Sequence, residues 1–235
     1  MSLGLKIPLI PINHLEAHIC ANFLENPALT YPVICLLVSG GHTQLWHIVK
    51  QDKYHLLGET RDDASGEAFD KGARILGLGY PGGPAIEKCA VGGDSKAIEF
   101  PRALLGENNL EFSFSGLKTA LLYYMRNLDK SKNKPNMNDI AASYQSAVVD
   151  VLITKLKNAL ELTGTKTCII AGGVSANKIL RESAKIYLTP AKVHFPSLPL
   201  CTDNAAMVAY LGELKLASGV KSSLSFPILP NLSLT

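Results

Sequence analysis

The alternation of apolar and polar residues divides the chain into strands and helices. Two stretches have the character of strands buried on both faces: the apolar run 33–38, and 167–171, which is apolar after its first residue, Thr167. Apolar and polar residues alternate over 43–48, a third strand is expected at 53–59, and a last short strand at 193–195.

Helical periodicity fills most of the remaining chain. Asn13 has the character of a helix N-cap and Glu16 follows three residues later, as in a capping box, so a helix is expected from His14 to about Asn26. Gly72 is unusual within its predicted helix, because helix interiors disfavour glycine. The other predicted helices are 64–76, 85–90, 119–128, 140–162, a helix beginning at 178, and 205–217.

Two glycine-rich turns follow apolar strands. Ser39-Gly40-Gly41 leaves backbone N–H groups without bulky side chains above them, which suits a phosphate, although most glycine turns of this kind are plain hairpin turns. Gly172-Gly173 lies between a strand and a helix, where nucleotides commonly cross the backbone. The chain lacks GxGxxG and GxxxxGK[ST] at these turns, which argues against a Rossmann dinucleotide site and excludes a P-loop.

Composition narrows the class of protein. Of the 235 residues 47% are apolar and 18% are charged, which excludes a disordered chain, and the net charge of +3 permits an RNA partner without arguing for one. The five cysteines form no CxxC pair, so we expect reduced thiols in a cytosolic protein. No apolar stretch is long enough for a membrane span, and the first residues have no signal-peptide pattern.

The first predicted helix carries two histidines four residues apart. His14 and His18 share one helix face, a spacing that can chelate a metal ion and that also occurs as two polar residues near a helix start. Glu16 points away from His14, whereas a zinc peptidase of the HExxH type needs glutamate directly after the first histidine. Two histidines leave a metal under-coordinated, so a metal site requires a third ligand from elsewhere.

Three acidic residues stand near predicted helix starts or on polar faces. Asp70 lies on the polar face of its helix, Glu87 lies one turn into the helix opened by Gly82-Gly83, and Asp203 precedes the last helix. Glu87 could accept hydrogen bonds from ribose hydroxyls, next to backbone N–H groups that could approach a ligand. The alternative for Asp70 and Glu87 is a solvated surface carboxylate, and for Asp203 it is a helix cap.

Seven motifs in one order carry a family resemblance. They cover roughly residues 8–217 and are NHLEAH, LLVSGGHTQL, DDASGEAFDK, GYPGGPAIEK, FSFSGLKTA, AGGVSAN and TDNAAMVA. The chain resembles the tRNA threonylcarbamoyladenosine transferase family of the bacterial TsaD type, formerly labelled O-sialoglycoprotein endopeptidase. The resemblance implies an α/β fold of the actin/Hsp70/sugar-kinase type, mostly its second lobe with the end of the first. The expected parts are a first-lobe remnant with the metal-binding helix (1–31), the second lobe with the nucleotide cleft (32–200), and a C-terminal helix returning to the metal site, with a tail (201–235).

The resemblance also implies roles for individual residues. His14, His18 and Asp203 are expected to hold one divalent metal ion, iron in the first place and zinc as the alternative. The residues expected to hold the substrate are Leu37, Val38, Ser39, Gly40, Gly41, Asp70, Gly83, Glu87 and Asn177. A catalytic role is expected for the amides of Ser39, Gly40 and Gly41, which would stabilise developing negative charge.

The implied reaction moves a threonylcarbamoyl group from threonylcarbamoyl-adenylate to the adenine next to the anticodon in tRNAs that read ANN codons. The metal is expected to act as a Lewis acid on the carbamoyl oxygen; the adenine amine attacks and AMP leaves. No side chain has the character of a covalent nucleophile. The implied partners are tRNA, a smaller paralogue of the TsaB type and a P-loop ATPase of the TsaE type, in the cytoplasm.

The family also has a first lobe that opens with a loop resembling GIETSCDET, and this chain contains no such motif. We therefore expect an N-terminally truncated chain whose histidine helix normally packs on that lobe, and which is inactive until the lobe is supplied. One alternative is an inactive fragment that binds metal and nucleotide. Another is a metallopeptidase, against which the position of Glu16 argues.

Overall fold

One mixed β-sheet organises the chain. The computed structural model describes residues 2–5, 7–106, 109–128, 136–220, 226–229 and 232–234. Within these residues five strands form a sheet in the order β3-β2-β1-β4-β5. Their bounds are β1 Val33–Val38, β2 Thr43–Lys50, β3 Lys53–Glu59, β4 Thr167–Ala171 and β5 Lys192–His194. The hydrophobic pattern predicts all of them, with differences of one or two residues at the ends of β2 and β5.

The helices also follow the predicted order. They are α1 Ser2–Leu5, α2 His14–Glu25, α3 Ser65–Ile75, α4 Gly82–Cys89, α5 Ser115–Leu128, α6 Met137–Thr163, α7 Lys178–Tyr187, α8 Leu198–Cys201 and α9 Ala205–Ala217. The pattern misses the short helices α1 and α8, and it places the start of α4 three residues too late. Because the Asp70 carboxylate accepts the N–H of Gly82 at 2.7 Å, a distant side chain satisfies a backbone group at the start of α4.

The register of β1 brings the two glycine turns to one edge of the sheet. β1 pairs with β2 in antiparallel fashion, so that Val38 lies opposite Thr43. β1 pairs with β4 in parallel, with Leu37 opposite Ala171. The carboxyl ends of β1 and β4 therefore lie side by side, and the turns that leave them are neighbours. In α/β sheets this edge is where ligands bind.

Both faces of the sheet are covered by helices of this chain. On one face Leu15 and Ile19 of α2 pack against Cys35 and Leu37. On the other face α6 provides a long run of buried side chains. Within the described residues α2 packs on this sheet and on α9. The expected contact of α2 with a separate first lobe stays a prediction.

The unusual glycine in α3 is explained by its neighbour in α6. A Cβ atom at Gly72 would lie 2.5 Å from the ring of Tyr144. The hydroxyl of Tyr144 donates to the carbonyl oxygen of Ala68 at 2.8 Å, which holds the ring in that place. Glycine is therefore needed for close packing of α3 on α6, and this outweighs its low helix propensity.

A distant aspartate determines where α5 begins. Asp62 Oδ1 accepts the N–H groups of Phe114 and Ser115 at 2.8 and 3.2 Å, and Oδ2 accepts the hydroxyls of Ser113 and Ser115. Partial burial acts to raise the pKa of Asp62, but these hydrogen bonds outweigh it and lower the pKa to about 2. The helix starts at Ser115, four residues before the predicted position, because this carboxylate caps it from outside the local sequence.

Replacing this cap tests its contribution. We expect Asp62→Ala to lower the free energy of unfolding by about 1 kcal/mol near neutral pH. Asp62→Asn should lose less, since its side-chain oxygen still accepts both N–H groups. The folded-state pKa lies below the ordinary value of 3.8, so the stabilisation is present above that value and disappears as the pH falls towards 2. Denaturant titrations of both variants should therefore converge with the wild type on acidification, and a gap that stays constant down to about pH 2 would contradict the assignment.

Candidate active site at the carboxyl edge of the sheet

Two elements far apart in sequence bring three ligating side chains together. The Asn13 side chain accepts the N–H groups of Leu15 and Glu16, so α2 starts at His14 and carries both histidines. Nε2 of His14 lies 3.2 Å and Nε2 of His18 lies 3.1 Å from the same Asp203 oxygen, Oδ1. One ligating atom from each of the three residues lies within 4.8 Å of the others.

Asp203 is not the cap of α9. Asn204 is the N-cap, and its side chain accepts the N–H of Met207 at 2.8 Å. Capping was one of the interpretations left open by the sequence, and it is wrong for Asp203. The Asp203 carboxylate is 78% exposed and is directed to the two histidines.

The separations of 3.2 and 3.1 Å between the Asp203 oxygen and the two imidazole nitrogens fit ligands of one divalent metal ion. Metal–ligand distances of about 2.0–2.2 Å place neighbouring ligand atoms roughly 2.8–3.6 Å apart in octahedral or tetrahedral geometry. The cluster as a whole spreads up to 4.8 Å, so it would have to contract around a bound ion. The side chain of His18 is 4% exposed, whereas that of His14 is 56% exposed. A nitrogen–nitrogen–oxygen donor set that is open on one side leaves room for further ligands from solvent or substrate.

The environment of His18 favours the neutral imidazole that a metal requires. Burial lowers the pKa of His18, the neighbouring His14 lowers it further, and the Asp203 carboxylate opposes both effects. The Nδ1 atom of His18 is buried and has no hydrogen-bond partner among the described residues, and the same is true of the side-chain amide of Asn22, one helical turn later. His18 is therefore held in place by packing, with its Nε2 directed to Asp203.

Glu16 has a different role from the one expected in a capping box. The side chain is buried, accepts a hydrogen bond from the hydroxyl of Tyr54 at 3.0 Å, and pairs with Lys215 Nζ at 2.9 Å. The capping-box prediction is wrong because this tertiary pair holds the carboxylate away from the helix start. The same contacts keep it from acting as the base of a metallopeptidase.

The hairpin turn offers two free backbone amides. The N–H of Ser39 donates to the carbonyl oxygen of His42 at 2.8 Å, and the N–H of His42 donates to Ser39 Oγ at 3.1 Å. The N–H groups of Gly40 and Gly41 donate to no other described residue, and a Cβ atom at either would lie in open space. The turn therefore presents the two glycine amides to a ligand, while the amide of Ser39 closes the turn.

The backbones of α3 and of the second glycine turn pack closely against the hairpin turn and the end of β1. The N–H of Gly66, in the first turn of α3, donates to the Ser39 carbonyl oxygen at 3.1 Å. Gly172 has φ +88°, and a Cβ atom there would lie 2.4 Å from the Val38 carbonyl oxygen, so the second glycine turn needs glycine to lie against β1. Leu37 and Val38 are fully buried within the sheet, so their side chains are not accessible to a ligand.

A second group of expected residues forms its own network. Asn177 Nδ2 donates to Glu87 Oε2 at 3.1 Å and to Gln145 Oε1 at 2.8 Å, while its Oδ1 accepts the N–H of Leu180 at 2.9 Å. Asn177 therefore caps α7 and orients Glu87, with both amide hydrogens engaged. Gly83 lies at the start of α4, in the same helix as Glu87, where a Cβ atom would lie in open space.

Sequence reasoning missed two residues of this region. Gln145 is 4% exposed and was hidden within the apolar periodicity of α6, where it had no motif of its own. His42 follows the glycine turn directly, which was the available signal. It lines a cavity of about 810 Å³ together with His14. Because His42 and His14 line the same cavity, the hairpin turn lies beside the cluster of His14, His18 and Asp203. Burial lowers the pKa of His42, and the nearby His14 lowers it further.

Comparison with known proteins identifies the family. The model of the TsaD family, tRNA N6-adenosine threonylcarbamoyltransferase, matches residues 1–210. A protein of this name from Desulfitobacterium hafniense is 47% identical, with 100% of this chain and 69% of the relative covered. This chain belongs to the tRNA N6-adenosine threonylcarbamoyltransferase family. A further member, from Magnetococcus marinus, is 48% identical, with 93% of this chain and 64% of the relative covered.

The threonylcarbamoyltransferase family is a family of tRNA-modifying transferases, and tRNA is its substrate. The chain spans about two thirds of the length of these relatives, 69% and 64% of the two proteins above. Among the helices of the described ranges, none combines the length and apolar character needed to cross a membrane.

Solved structures confirm the expected fold. HypF from T. kodakarensis superimposes with a TM-score of 0.67 at 15% identity, with 93% of this chain and 38% of HypF covered. The activator of 2-hydroxyisocaproyl-CoA dehydratase from Clostridium difficile, with bound ADPNP, gives a TM-score of 0.50 at 13% identity, with 88% and 70% covered. At these identities the likeness concerns the fold alone, and it agrees with the actin/Hsp70/sugar-kinase type.

Proposed function

We propose that this chain transfers the threonylcarbamoyl group from threonylcarbamoyl-adenylate to the N6 amine of the adenosine beside the anticodon, in tRNAs that read ANN codons. One observation carries the proposal. The His14, His18 and Asp203 cluster lies beside a hairpin turn whose two glycine amides are free, at the sheet edge that also carries the second glycine turn. This arrangement suits a ligand with a polar acyl part and a nucleotide part.

In this proposal the three ligating side chains hold one divalent ion, iron in the first place and zinc as the alternative. Imidazole and carboxylate ligands suit both metals. The bound ion would supply Lewis acidity towards the carbamoyl oxygen. His18 anchors the site in the interior, while His14 and Asp203 lie at the surface, where a substrate has access.

In this proposal the adenylate binds to the hairpin turn and to the hydrogen-bonded pair of Glu87 and Asn177. The amides of Gly40 and Gly41 approach the phosphate and the acyl group, where charge-assisted hydrogen bonds stabilise negative charge. Glu87 accepts hydrogen bonds from ribose hydroxyls, and Asn177 holds Glu87 in position from its own place at the start of α7. Asp70 shapes the start of α4 at Gly83 through its bond to Gly82.

The reaction is then an acyl transfer between bound partners. The adenine amine forms a bond to the carbamoyl carbon, the bond from that carbon to the phosphate oxygen breaks, and AMP leaves as one proton is released. The chain's contribution is to orient the mixed anhydride and to neutralise charge on the departing phosphate. The proposed partners are a smaller paralogue of the TsaB type and a P-loop ATPase of the TsaE type, and the proposed compartment is the cytoplasm.

Neither alternative from the sequence is favoured. A metallopeptidase would need a carboxylate base beside the metal, and Glu16 is occupied by Lys215 and Tyr54. No observation supports a fragment that binds metal and nucleotide without transfer.

The test is incorporation of labelled threonine into tRNA. The purified chain is incubated with threonylcarbamoyl-adenylate carrying labelled threonine, tRNA that reads ANN codons, and the two proposed partner proteins. A parallel sample also receives the first lobe of a relative, because the sequence predicts that transfer needs it. Label in tRNA from either sample supports the proposal, and tRNA lacking adenosine beside the anticodon is the matched control. Absence of label in both samples, with metal and AMP bound normally, would contradict it.

A further inference from the structure

A largely buried ion pair joins α2, which carries His14 and His18, to α9, which begins two residues after Asp203. Glu16 lies between His14 and His18 in α2, and Lys215 lies near the end of α9. Lys215 Nζ is 3.1 Å from Glu16 Oε1 and 2.9 Å from Oε2, and the hydroxyl of Tyr54 donates to Oε1 at 3.0 Å. The Glu16 side chain is 6% exposed and that of Lys215 is 18% exposed.

This pair is poorly explained as a source of stability. Removing two charges from water is unfavourable, and apolar residues of similar size often stabilise a protein as well or better. Such pairs can instead select one arrangement of the elements they join, because their hydrogen bonds are directional. A role in the placement of α2 against α9 therefore fits the burial better.

The apolar part of the contact between α2 and α9 does not by itself fix the relative position of the two helices. Its buried core consists of Ala17, Cys20 and Ala21 from α2 with Met207 and Leu211 from α9. Small and flexible apolar side chains permit several helix positions at similar packing. Directional polar contacts are needed to select one of them.

The ion pair and the ligating cluster contact α9 at opposite ends. Asp203 lies two residues before α9, which begins at Ala205. Lys215 lies ten positions after Ala205, which is roughly 15 Å along the helix axis. Both contacts reach the first turns of α2, at His14, Glu16 and His18. Two contacts that far apart determine how α9 crosses α2, and hence where Asp203 lies relative to the imidazoles.

We propose that Glu16 and Lys215, with Tyr54, are positioning residues that set the geometry of the His14–His18–Asp203 metal site; this rests on the metal assignment in the proposed function. Burial lowers the pKa of Lys215, but its hydrogen bond and charge contact with Glu16 and the nearby Asp52 carboxylate outweigh it, so the ammonium stays charged. Burial and the charge of Glu16 raise the pKa of Tyr54, which keeps its hydroxyl protonated as a donor.

The experiment separates position from stability. In the double variant Glu16→Leu/Lys215→Leu an apolar pair replaces the ionic one, so the thermal midpoint of the metal-free protein should be equal or higher. Zn²⁺ affinity, measured by competition with a chelator, should fall about 10- to 100-fold, as with loss of groups that orient metal ligands. The visible absorption spectrum of the Co²⁺-loaded protein should change as well. A purely structural role predicts that affinity follows the thermal midpoint.

Two further variants complete the design. The charge-exchanged protein Glu16→Lys/Lys215→Glu also carries Asp52→Asn, because Asp52 Oδ1 lies 3.6 Å from Lys215 Nζ and would repel a carboxylate at position 215. It restores an ion pair and should regain most of the Zn²⁺ affinity and the Co²⁺ spectrum, which tests the positioning role if the leucine variant does not fold. The matched control is Lys157→Gln/Glu161→Gln, which removes an exposed pair of α6 and should leave both readouts unchanged.

Three outcomes have distinct meanings. Wild-type Zn²⁺ affinity and Co²⁺ spectrum in the leucine variant would overturn the positioning role while leaving the metal site intact. A charge-exchanged variant that folds but binds Zn²⁺ as weakly as the leucine variant would overturn it too. A wild-type protein that binds neither Zn²⁺ nor Co²⁺ would instead overturn the metal assignment in the proposed function.

Discussion

His14→Ala is expected to leave the purified protein with bound metal well below one ion per chain. The substitution removes one of three ligands, and His18 with Asp203 cannot complete the coordination of iron or zinc. The loss of affinity should exceed the roughly 10- to 100-fold loss caused by removing a group that only orients a ligand. Because the His14 side chain is more than half exposed, at 56%, the fold should be unaffected. Elemental analysis of protein expressed with iron or zinc measures the result.

His55→Ala provides the control for this measurement. His55 is an exposed histidine of β3 that lies outside the ligating cluster, so its removal should leave the metal content unchanged. Equal metal in the wild type and in His14→Ala would show that the cluster is not the metal site. Equal losses in His14→Ala and His55→Ala would point to unspecific binding by surface histidines.

Gly41→Val is expected to weaken the binding of AMP and of a stable threonylcarbamoyl-adenylate analogue by roughly 100-fold. The branched side chain would stand above the free amides of Gly40 and Gly41, and two charge-assisted hydrogen bonds of about 1.5 kcal/mol each would be lost. Folding should not change, because a Cβ atom at Gly41 meets no atom within 4 Å and the residue has no left-handed backbone. Calorimetry measures the affinity, and circular dichroism checks the fold.

The matched control is Gly106→Val. Gly106 also has open space for a Cβ atom and lies outside the hairpin turn, so this variant should bind AMP as the wild type does. Unchanged affinity in Gly41→Val, with an intact dichroism spectrum, would remove the hairpin turn from the nucleotide site.

Local sequence patterns were sufficient to predict most of the strands and helices, and to predict the two histidines of the candidate metal site. The strands follow from runs and alternations of apolar residues, and Asn13 marks the start of α2, where its side chain caps backbone N–H groups as predicted. The four-residue spacing of His14 and His18 was enough to place both imidazoles on one side of α2. These features depend on groups within about one helical turn, where backbone geometry leaves few alternatives.

The sequence by itself determined the α/β order of elements, the two glycine turns at strand ends and the pair of histidines, since each depends on short-range periodicity and steric freedom. Only the tertiary structure decided which side chains contact each other over long distances in the sequence. Asp203 meets His18 across 185 positions, Asp62 starts α5 from another part of the chain, and Lys215 takes Glu16 away from the helix cap. Contacts between residues so distant in sequence depend on how the sheet and helices pack together, and a local pattern carries no information about that.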